Sequence, residues 1–202
     1  MRPGKSVRCV DFPCLDVHKD RYVVPDVEIE AEKIKTIMIS EAPPQDAGDY
    51  FYAQNNPFYM QTTAQAFNDA GFNVSSMEDV LNLGVYVTTA VKCAKTAYSV
   101  FPETIGNCCF RILEKEIDLF PKIKAVLLMG DTAIKAMNCI AKRNTGKTII
   151  PSGPTYKIRK NKYSYKQFRV FPSYLQTGKS YLIEKSKRKM IAEDIRTALE
   201  NH

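Results

Sequence analysis

The chain has 202 residues, 45% of them apolar, which is typical of a packed globular protein with a sizeable core. A formal net charge of +7 favours a polyanionic partner such as nucleic acid. No apolar run is long enough to span a membrane and no secretory signal peptide is recognisable, so we expect a cytoplasmic protein that does not enter membranes. Because disulfides are rare in that compartment, the six cysteines indicate metal ligands or buried thiols.

Four short apolar runs predict buried strands, and helical patterns lie between them. The predicted strands are residues 34–40, 83–90, 125–129 and 169–171. The predicted helices are residues 62–70, 103–120, 131–142 and a last helix that Ser180 could cap. This alternation predicts an α/β fold, a three-layer α/β/α sandwich around a central, mainly parallel four-stranded sheet. We expect one domain over residues 1–202, with residues 1–33 as an N-terminal arm and a hairpin around residues 157–165.

Two pairs of cysteines are separated by about eighty residues of the chain. Cys9 and Cys14 lie on the arm as C-x4-C, and Cys93 and Cys109 lie in the body as C-x15-C. Four thiolates can hold zinc or an iron–sulfur cluster, so we expect the two pairs to join the arm to the body. Cys108 is predicted to be a buried apolar residue, as is Cys139, although Cys108 could replace Cys109 as a ligand.

The loops that follow the four predicted strands should meet at one edge of the sheet, because the carboxyl ends of parallel strands share an edge. These loops read EAPP at residues 41–44, TTAVKC at 88–93, GDTA at 130–133 and PSYLQTGKS at 172–180. In this order they resemble the motifs of the uracil-DNA glycosylase superfamily, closest to its iron–sulfur family 4. A Pro-Phe pair at residues 57–58 also matches, and the resemblance extends from residue 9 to about residue 199.

The resemblance implies a fold, a cofactor and a partner. It implies a uracil-DNA glycosylase-like domain that acts in base excision repair, as a monomer whose partner is DNA. It also implies a [4Fe-4S] cluster bound by Cys9, Cys14, Cys93 and Cys109, with zinc as the alternative metal.

Site residues follow from the same motifs. Glu41 would stabilise the sugar cation and orient water. The residues expected to contact the flipped base are Ala42, Phe58, Thr89 and Ser173, with the Phe58 ring stacking on it. Tyr174 or Leu175 would enter the base stack of DNA. The residues expected to contact phosphates are Lys179, Lys185 and Arg188.

Several departures from the family pattern leave the activity open, and one is that residues 94–96, Ala-Lys-Thr, follow Cys93 where the family has two prolines. Thr89 stands where the family has the asparagine that reads uracil, and Phe171 stands where it has a loop histidine. The first cysteine pair is C-x4-C rather than C-x-x-C. These changes predict slow uracil excision or a different base as substrate, and a DNA-binding member without catalysis is the alternative. A P-loop-type nucleotide-binding protein is a weaker one, because residues 173–180 lack the first glycine of that motif.

Overall fold

The computed structural model describes residues 1–200, in which a five-stranded sheet carries helices on both faces. The strands in chain order are β1 Val17–His18, β2 Thr36–Ser40, β3 Val85–Thr89, β4 Ala94–Lys95, β5 Ala125–Met129, β6 Tyr163–Tyr165 and β7 Phe168–Ser173. The helices are α1 Pro3–Ser6, α2 Phe58–Asp69, α3 Met77–Asn82, α4 Pro102–Cys108, α5 Glu114–Ile117, α6 Asp131–Thr145, α7 Thr155–Ile158, α8 Lys179–Ile183 and α9 Lys185–Leu199. A π-helical turn, Cys109–Leu113, joins α4 to α5.

The sheet confirms the predicted mainly parallel architecture and adds one strand to it. Its order is β3-β2-β5-β7-β6, with the first four strands parallel and β6 antiparallel to β7. Every residue of β2, β3 and β5 is buried, as expected for a parallel sheet covered on both faces. Their apolar runs are therefore continuous rather than alternating.

Two apolar layers complete the predicted three-layer sandwich. On one face, Ile37, Ile39 and Leu128 pack against α4 and α6. On the other face, Met38 and Leu127 pack against α2 and α9. Successive strand residues point to opposite faces, so each strand contributes to both layers. Among residues 1–200, no helix is long and apolar enough to cross a bilayer.

Several predicted boundaries are wrong in informative ways. The predicted helix at residues 103–120 is interrupted by the π-helical turn and ends at Ile117. Ser180 lies inside the short α8 and does not cap the last helix, which begins after Glu184. The hairpin expected around residues 157–165 is displaced, because Pro154 starts α7 there and the hairpin is formed by β6 and β7.

The N-terminal arm is fixed to the segment that follows β3. Val17 of β1 pairs with Lys95 of β4, and the Val23 amide donates to the Lys92 carbonyl at 2.8 Å. The buried Asp16 carboxylate accepts hydrogen bonds from the Phe101 amide and the Thr104 hydroxyl. These contacts hold the arm beside the segment that carries Cys93.

A buried ion pair connects the same segment to the middle helices. The Lys92 ammonium lies 2.5 Å from a Glu116 carboxylate oxygen, and both side chains are fully buried. The other Glu116 oxygen accepts hydrogen bonds from the Tyr86 hydroxyl at 2.6 Å and the Thr88 hydroxyl at 2.8 Å. Because each charge is desolvated, either one is stable in the core only while its partner is present.

Candidate active site

A cleft opens at the carboxyl edge of the sheet, where the strand-end loops meet. Its walls include Glu41 after β2, Lys95 of β4, Thr132 at the start of α6, and Tyr174 and Leu175 after β7. The structure thus brings together three of the residues that the sequence predicts for the site, namely Glu41, Tyr174 and Leu175. They come from two loops more than a hundred residues apart in the chain.

Glu41 is held in the cleft by two groups of positive character. One carboxylate oxygen accepts a hydrogen bond from the Thr132 amide at 3.3 Å, at the N-terminus of α6, and the other lies 3.2 Å from the Lys95 ammonium. The side chain of Glu41 is 17% exposed and that of Lys95 is 23% exposed. Since a helix N-terminus and an ammonium both attract an anion, Glu41 is fixed in position while remaining accessible.

Gly130 makes this close approach possible. Its φ of +98° is in the range that favours glycine, and a Cβ built on it would lie 2.7 Å from a Glu41 carboxylate oxygen. A larger residue at position 130 would therefore displace the carboxylate. The glycine of the GDTA motif thus has a direct structural role at Glu41.

Lys95 was not among the predicted site residues. It stands in the segment Ala94-Lys95-Thr96, where the resembled family has prolines. Only that departure from the family motif marked the position, because the sequence does not show that Lys95 would lie beside Glu41, 54 residues away.

The residues predicted to contact the base differ in burial and in their hydrogen-bond partners. Ala42 and Thr89 are buried, and Phe58 is half-buried at the first turn of α2. The Ser173 hydroxyl donates to the Asp194 carboxylate at 2.5 Å in the core. Ser173 therefore has an internal partner, and its contact with a base stays a prediction.

Asp194 in turn belongs to an internal ion pair. Its carboxylate accepts hydrogen bonds from the Arg159 guanidinium at 3.0 Å. Burial raises the pKa of Asp194, and the hydrogen bonds from Arg159 and Ser173 oppose that rise. The network joins α7, β7 and α9, so the Ser173 side chain serves the fold.

The predicted phosphate-binding residues also separate into two groups. Lys179 and Lys185 are exposed and free to meet a polyanion. Arg188 instead forms hydrogen bonds of 2.7–2.9 Å with both oxygens of Asp69, so its guanidinium already has an anionic partner. On the rim of the cleft, Lys187 lies 5.4 Å from the centre of the Tyr174 ring. The sequence-based prediction did not include Lys187.

The structure groups the cysteines differently from the sequence prediction in one respect. Cys9, Cys14, Cys93 and Cys108 line a single small cavity between the arm and α4. Cys109 is fully buried and turns away from it, and its thiol lies 3.4 Å from the Ala136 carbonyl of α6. Adjacent helical residues point about 100° apart, so only one of these two cysteines can face the arm. The structure places Cys108, not Cys109, with the other three.

The environment of the cavity perturbs its thiols. A hydrogen bond with Cys108 lowers the pKa of Cys14 to about 6, and the same bond raises the pKa of Cys108. Burial raises the pKa of Cys93 to about 12. Four thiols are a donor set that fits a metal cluster. Within residues 1–200, no three Cys, His, Asp or Glu side chains are already placed to hold a metal ion.

The fold and the cleft define an α/β protein with a carboxylate at the carboxyl edge of a parallel sheet. A family model described as the uracil DNA glycosylase superfamily matches residues 28–196. The chain therefore belongs to the uracil-DNA glycosylase superfamily, which supports a glycosylase-like role in DNA repair. No curated protein matches the chain. Cys9 and Cys14 precede the matched residues, so the iron–sulfur subtype stays a prediction.

The P-loop interpretation loses its support from the same observations. Residues 173–180 lie within the matched family, and the helix that follows them, α8, has only five residues. The first residue of the supposed motif, Ser173, is buried and bonded to Asp194.

The partners of the basic residues predict how they contribute to DNA binding. We expect Lys185→Ala to weaken binding of a single-stranded oligonucleotide and to reduce the salt dependence by about one phosphate contact. Arg188→Ala should change the affinity less than twofold, because Asp69 already occupies the guanidinium. Fluorescence anisotropy at several salt concentrations measures both. A larger effect of Arg188→Ala than of Lys185→Ala would show that the Asp69 pair opens to bind DNA.

Proposed function

We propose that the protein is a DNA N-glycosylase that hydrolyses the bond between deoxyribose and a deaminated base flipped out of DNA. The observation that carries the proposal is the position of Glu41, a carboxylate held between the N-terminus of α6 and Lys95 in an open, partly basic cleft. Membership of the superfamily supports the same reaction.

The reaction needs stabilisation of opposite charges. When the glycosidic bond breaks, the electron pair leaves with the base, and the sugar becomes a cation at C1′. The Glu41 carboxylate stabilises that cation and orients a water molecule. The water oxygen then bonds to C1′, its proton passes to Glu41 or to solvent, and the departing base anion gains a proton. Glu41 therefore stabilises the charge that develops on the sugar, and another group must stabilise the charge on the base.

Lys95 supplies the positive charge that the leaving base requires. The family histidine is replaced by Phe171, whose ring lies in the core with the Arg169 guanidinium 4.7 Å from its centre. Among residues 1–200 the one histidine, His18, is exposed on the arm. Lys95 is the cation beside Glu41, so its ammonium can donate to the base oxygen on which negative charge develops.

The rim of the cleft suits a strand with unstacked bases. The Tyr98 side chain is 97% exposed, and Tyr174 and Leu175 line the same cleft. On the same rim, Lys135 is paired with Asp131 at 2.5 Å and Lys187 with Glu184 at 2.6 Å, so each lysine would exchange an exposed carboxylate for a phosphate. Aromatic side chains that alternate with cations bind the bases and phosphates of single-stranded nucleic acid.

The cavity of four cysteines is proposed as the site of the [4Fe-4S] cluster, bound by Cys9, Cys14, Cys93 and Cys108. A cluster spreads four thiolates over several metal ions, whereas zinc gathers them around one ion. Four thiolates suit either metal, and the preference for the cluster rests on the resemblance to the iron–sulfur family. When bound, it cross-links the arm to α4 and takes no part in base release.

Base release from a panel of oligonucleotides tests the proposed function. Each oligonucleotide carries one uracil, hypoxanthine or xanthine, in single-stranded and in duplex form, and cleavage at the abasic site after alkali is measured. Release of at least one deaminated base, with none from the matching undamaged DNA, supports the proposal. DNA binding without release of any base would instead establish the non-catalytic member of the superfamily.

A further inference from the structure

Buried polar side chains without partners lie on one face of the sheet at its carboxyl edge. Ser40 and Thr89 are the last residues of β2 and β3 and lie opposite each other in register. Gln176 packs on the same face, beside Met38 of β2. In residues 1–200, the hydroxyls of Ser40 and Thr89 and the side-chain oxygen of Gln176 are buried without a hydrogen-bond partner.

Gln176 is the most unusual member of this group. Its side chain is 0% exposed, and within residues 1–200 its amide nitrogen donates only to the Met38 sulfur, at 3.3 Å. A thioether is a weak acceptor, so neither half of the amide has a strong partner. Buried amides are normally satisfied, and a leucine or methionine would fill the same space without unpaired polar atoms.

The location of Gln176 connects this group to the cleft. The preceding residue, Leu175, lines the cleft, and the following residue, Thr177, shares a hydrogen bond with Tyr59 of α2. Met38 precedes Ser40 by two residues on the same face, which is about 7 Å along a strand. The amide therefore lies one side-chain position behind the pair formed by Ser40 and Thr89.

We propose that Gln176 reads the hydrogen-bonding edge of the flipped base. Its amide would take the role of the family asparagine, which Thr89 replaces. This inference rests on the proposed function and names its substrate class. The Gln176 nitrogen donates to a ring carbonyl, and its oxygen accepts from the neighbouring ring N–H. The hydroxyls of Thr89 and Ser40 are free to bond to the remaining polar atoms of the base.

The arrangement favours deaminated bases over their parents. Deamination of cytosine or adenine converts an amino group beside an acceptor nitrogen into a carbonyl beside an N–H. The Met38 sulfur accepts from the amide nitrogen and so orients the amide with its oxygen free for that N–H. A parent base would place its acceptor nitrogen against this oxygen. Because Gln176 is buried in the free protein, the base reaches it only when residues 174–178 shift outward.

Binding of non-cleavable oligonucleotides tests the inference separately from catalysis. The probes carry 2′-fluoro-2′-deoxyuridine or 2′-fluoro-2′-deoxycytidine at one position. We expect wild-type protein to bind the uracil probe about tenfold more tightly or better, as for a two-bond amide contact. In Gln176→Leu the ratio should fall to within about twofold, whereas Gln65→Leu, an exposed glutamine of α2, should keep it.

A second variant and a stability measurement keep the test decisive. Thr89→Asn in the Gln176→Leu background should restore the preference for uracil, because it returns an amide to the edge of the pocket. Gln176→Leu should also melt at an equal or higher temperature, with a gain of about 2–4 °C if one unpaired amide is removed. This combination of gained stability and lost discrimination would not arise from damage to the fold.

The outcomes separate the two proposals. A wild-type protein that prefers the uracil probe, loses the preference in Gln176→Leu and yet releases no base would uphold this inference and refute the glycosylase. Base release with the same probe ratio in both proteins would refute the inference and leave the glycosylase in place. A wild-type protein with no preference between the probes also refutes the inference.

Discussion

Replacing Glu41 by glutamine is expected to slow base release about 10²–10⁴-fold, the usual range for loss of one charged catalytic group. Glutamine keeps the size of the side chain and can still accept the hydrogen bond from the Thr132 amide. It removes the negative charge that stabilises the sugar cation. The loss should therefore appear in the chemical step and not in DNA affinity.

Single-turnover kinetics on the best substrate of the panel measure this effect. Asp131→Asn is the matched control, since Asp131 is another carboxylate of the cleft, but it is exposed and paired with Lys135 at 2.5 Å. The control should retain activity within a few-fold. Affinity for the 2′-fluoro-deoxyuridine probe should change less than threefold in both variants. Activity in Glu41→Gln equal to wild type would remove Glu41 from the mechanism.

The sheet was predictable because parallel strands are buried on both faces. Continuous apolar runs at β2, β3 and β5 stand out against the polar loops, and the helices between them fix the parallel order. The fifth strand was missed because Tyr163–Tyr165 is short and has an exposed serine in the middle. The hairpin was also displaced, since Pro154 was not read as a helix start.

The candidate site was predictable only where a motif marks it. Glu41 and Gly130 belong to motifs, and the structure brings them within contact. The motifs assign no role to Lys95 or to Gln176, although Gln176 lies in the loop at residues 172–180, and the importance of both comes from neighbours 54 and 138 residues away in the chain. The sequence likewise shows that Ser173 is polar without showing that Asp194 would be its partner.

The choice between Cys108 and Cys109 also depended on distant contacts that the sequence does not show. Both cysteines fit the spacing, and sequence reasoning selected Cys109 from the motif that follows it. The decision depends on the rotation of α4 about its axis, which the contacts of α4 with the arm and α6 determine. Thr104, one turn before Cys108, bonds to Asp16 of the arm and so turns that side of α4 toward Cys14.

Serine substitution of each cysteine is expected to separate their roles. Cys108→Ser should lose bound iron and sulfide and the visible absorbance of a cluster, because a hydroxyl replaces one of four thiolate ligands. Cys109→Ser should retain the metal and lose about 1 kcal/mol or more of unfolding free energy, since a polar group enters a buried site. Anaerobic purification with iron, sulfide and zinc analysis measures the first effect, and thermal unfolding measures the second.

Loss of the metal should also change the position of Lys95 in the cleft, because Lys95 lies on β4, which follows Cys93 directly. In Cys108→Ser the arm would keep its apolar contacts and its hydrogen bonds, including those of Asp16 with Phe101 and Thr104, but would lose the cross-link through the cluster. We therefore expect a lower melting temperature and weaker base release in this variant. Adding substrate DNA should restore neither property. Metal retained in Cys108→Ser but lost in Cys109→Ser would return the ligand role to Cys109. Stoichiometric zinc in the wild-type protein would keep the cross-link between arm and body but refute the iron–sulfur assignment.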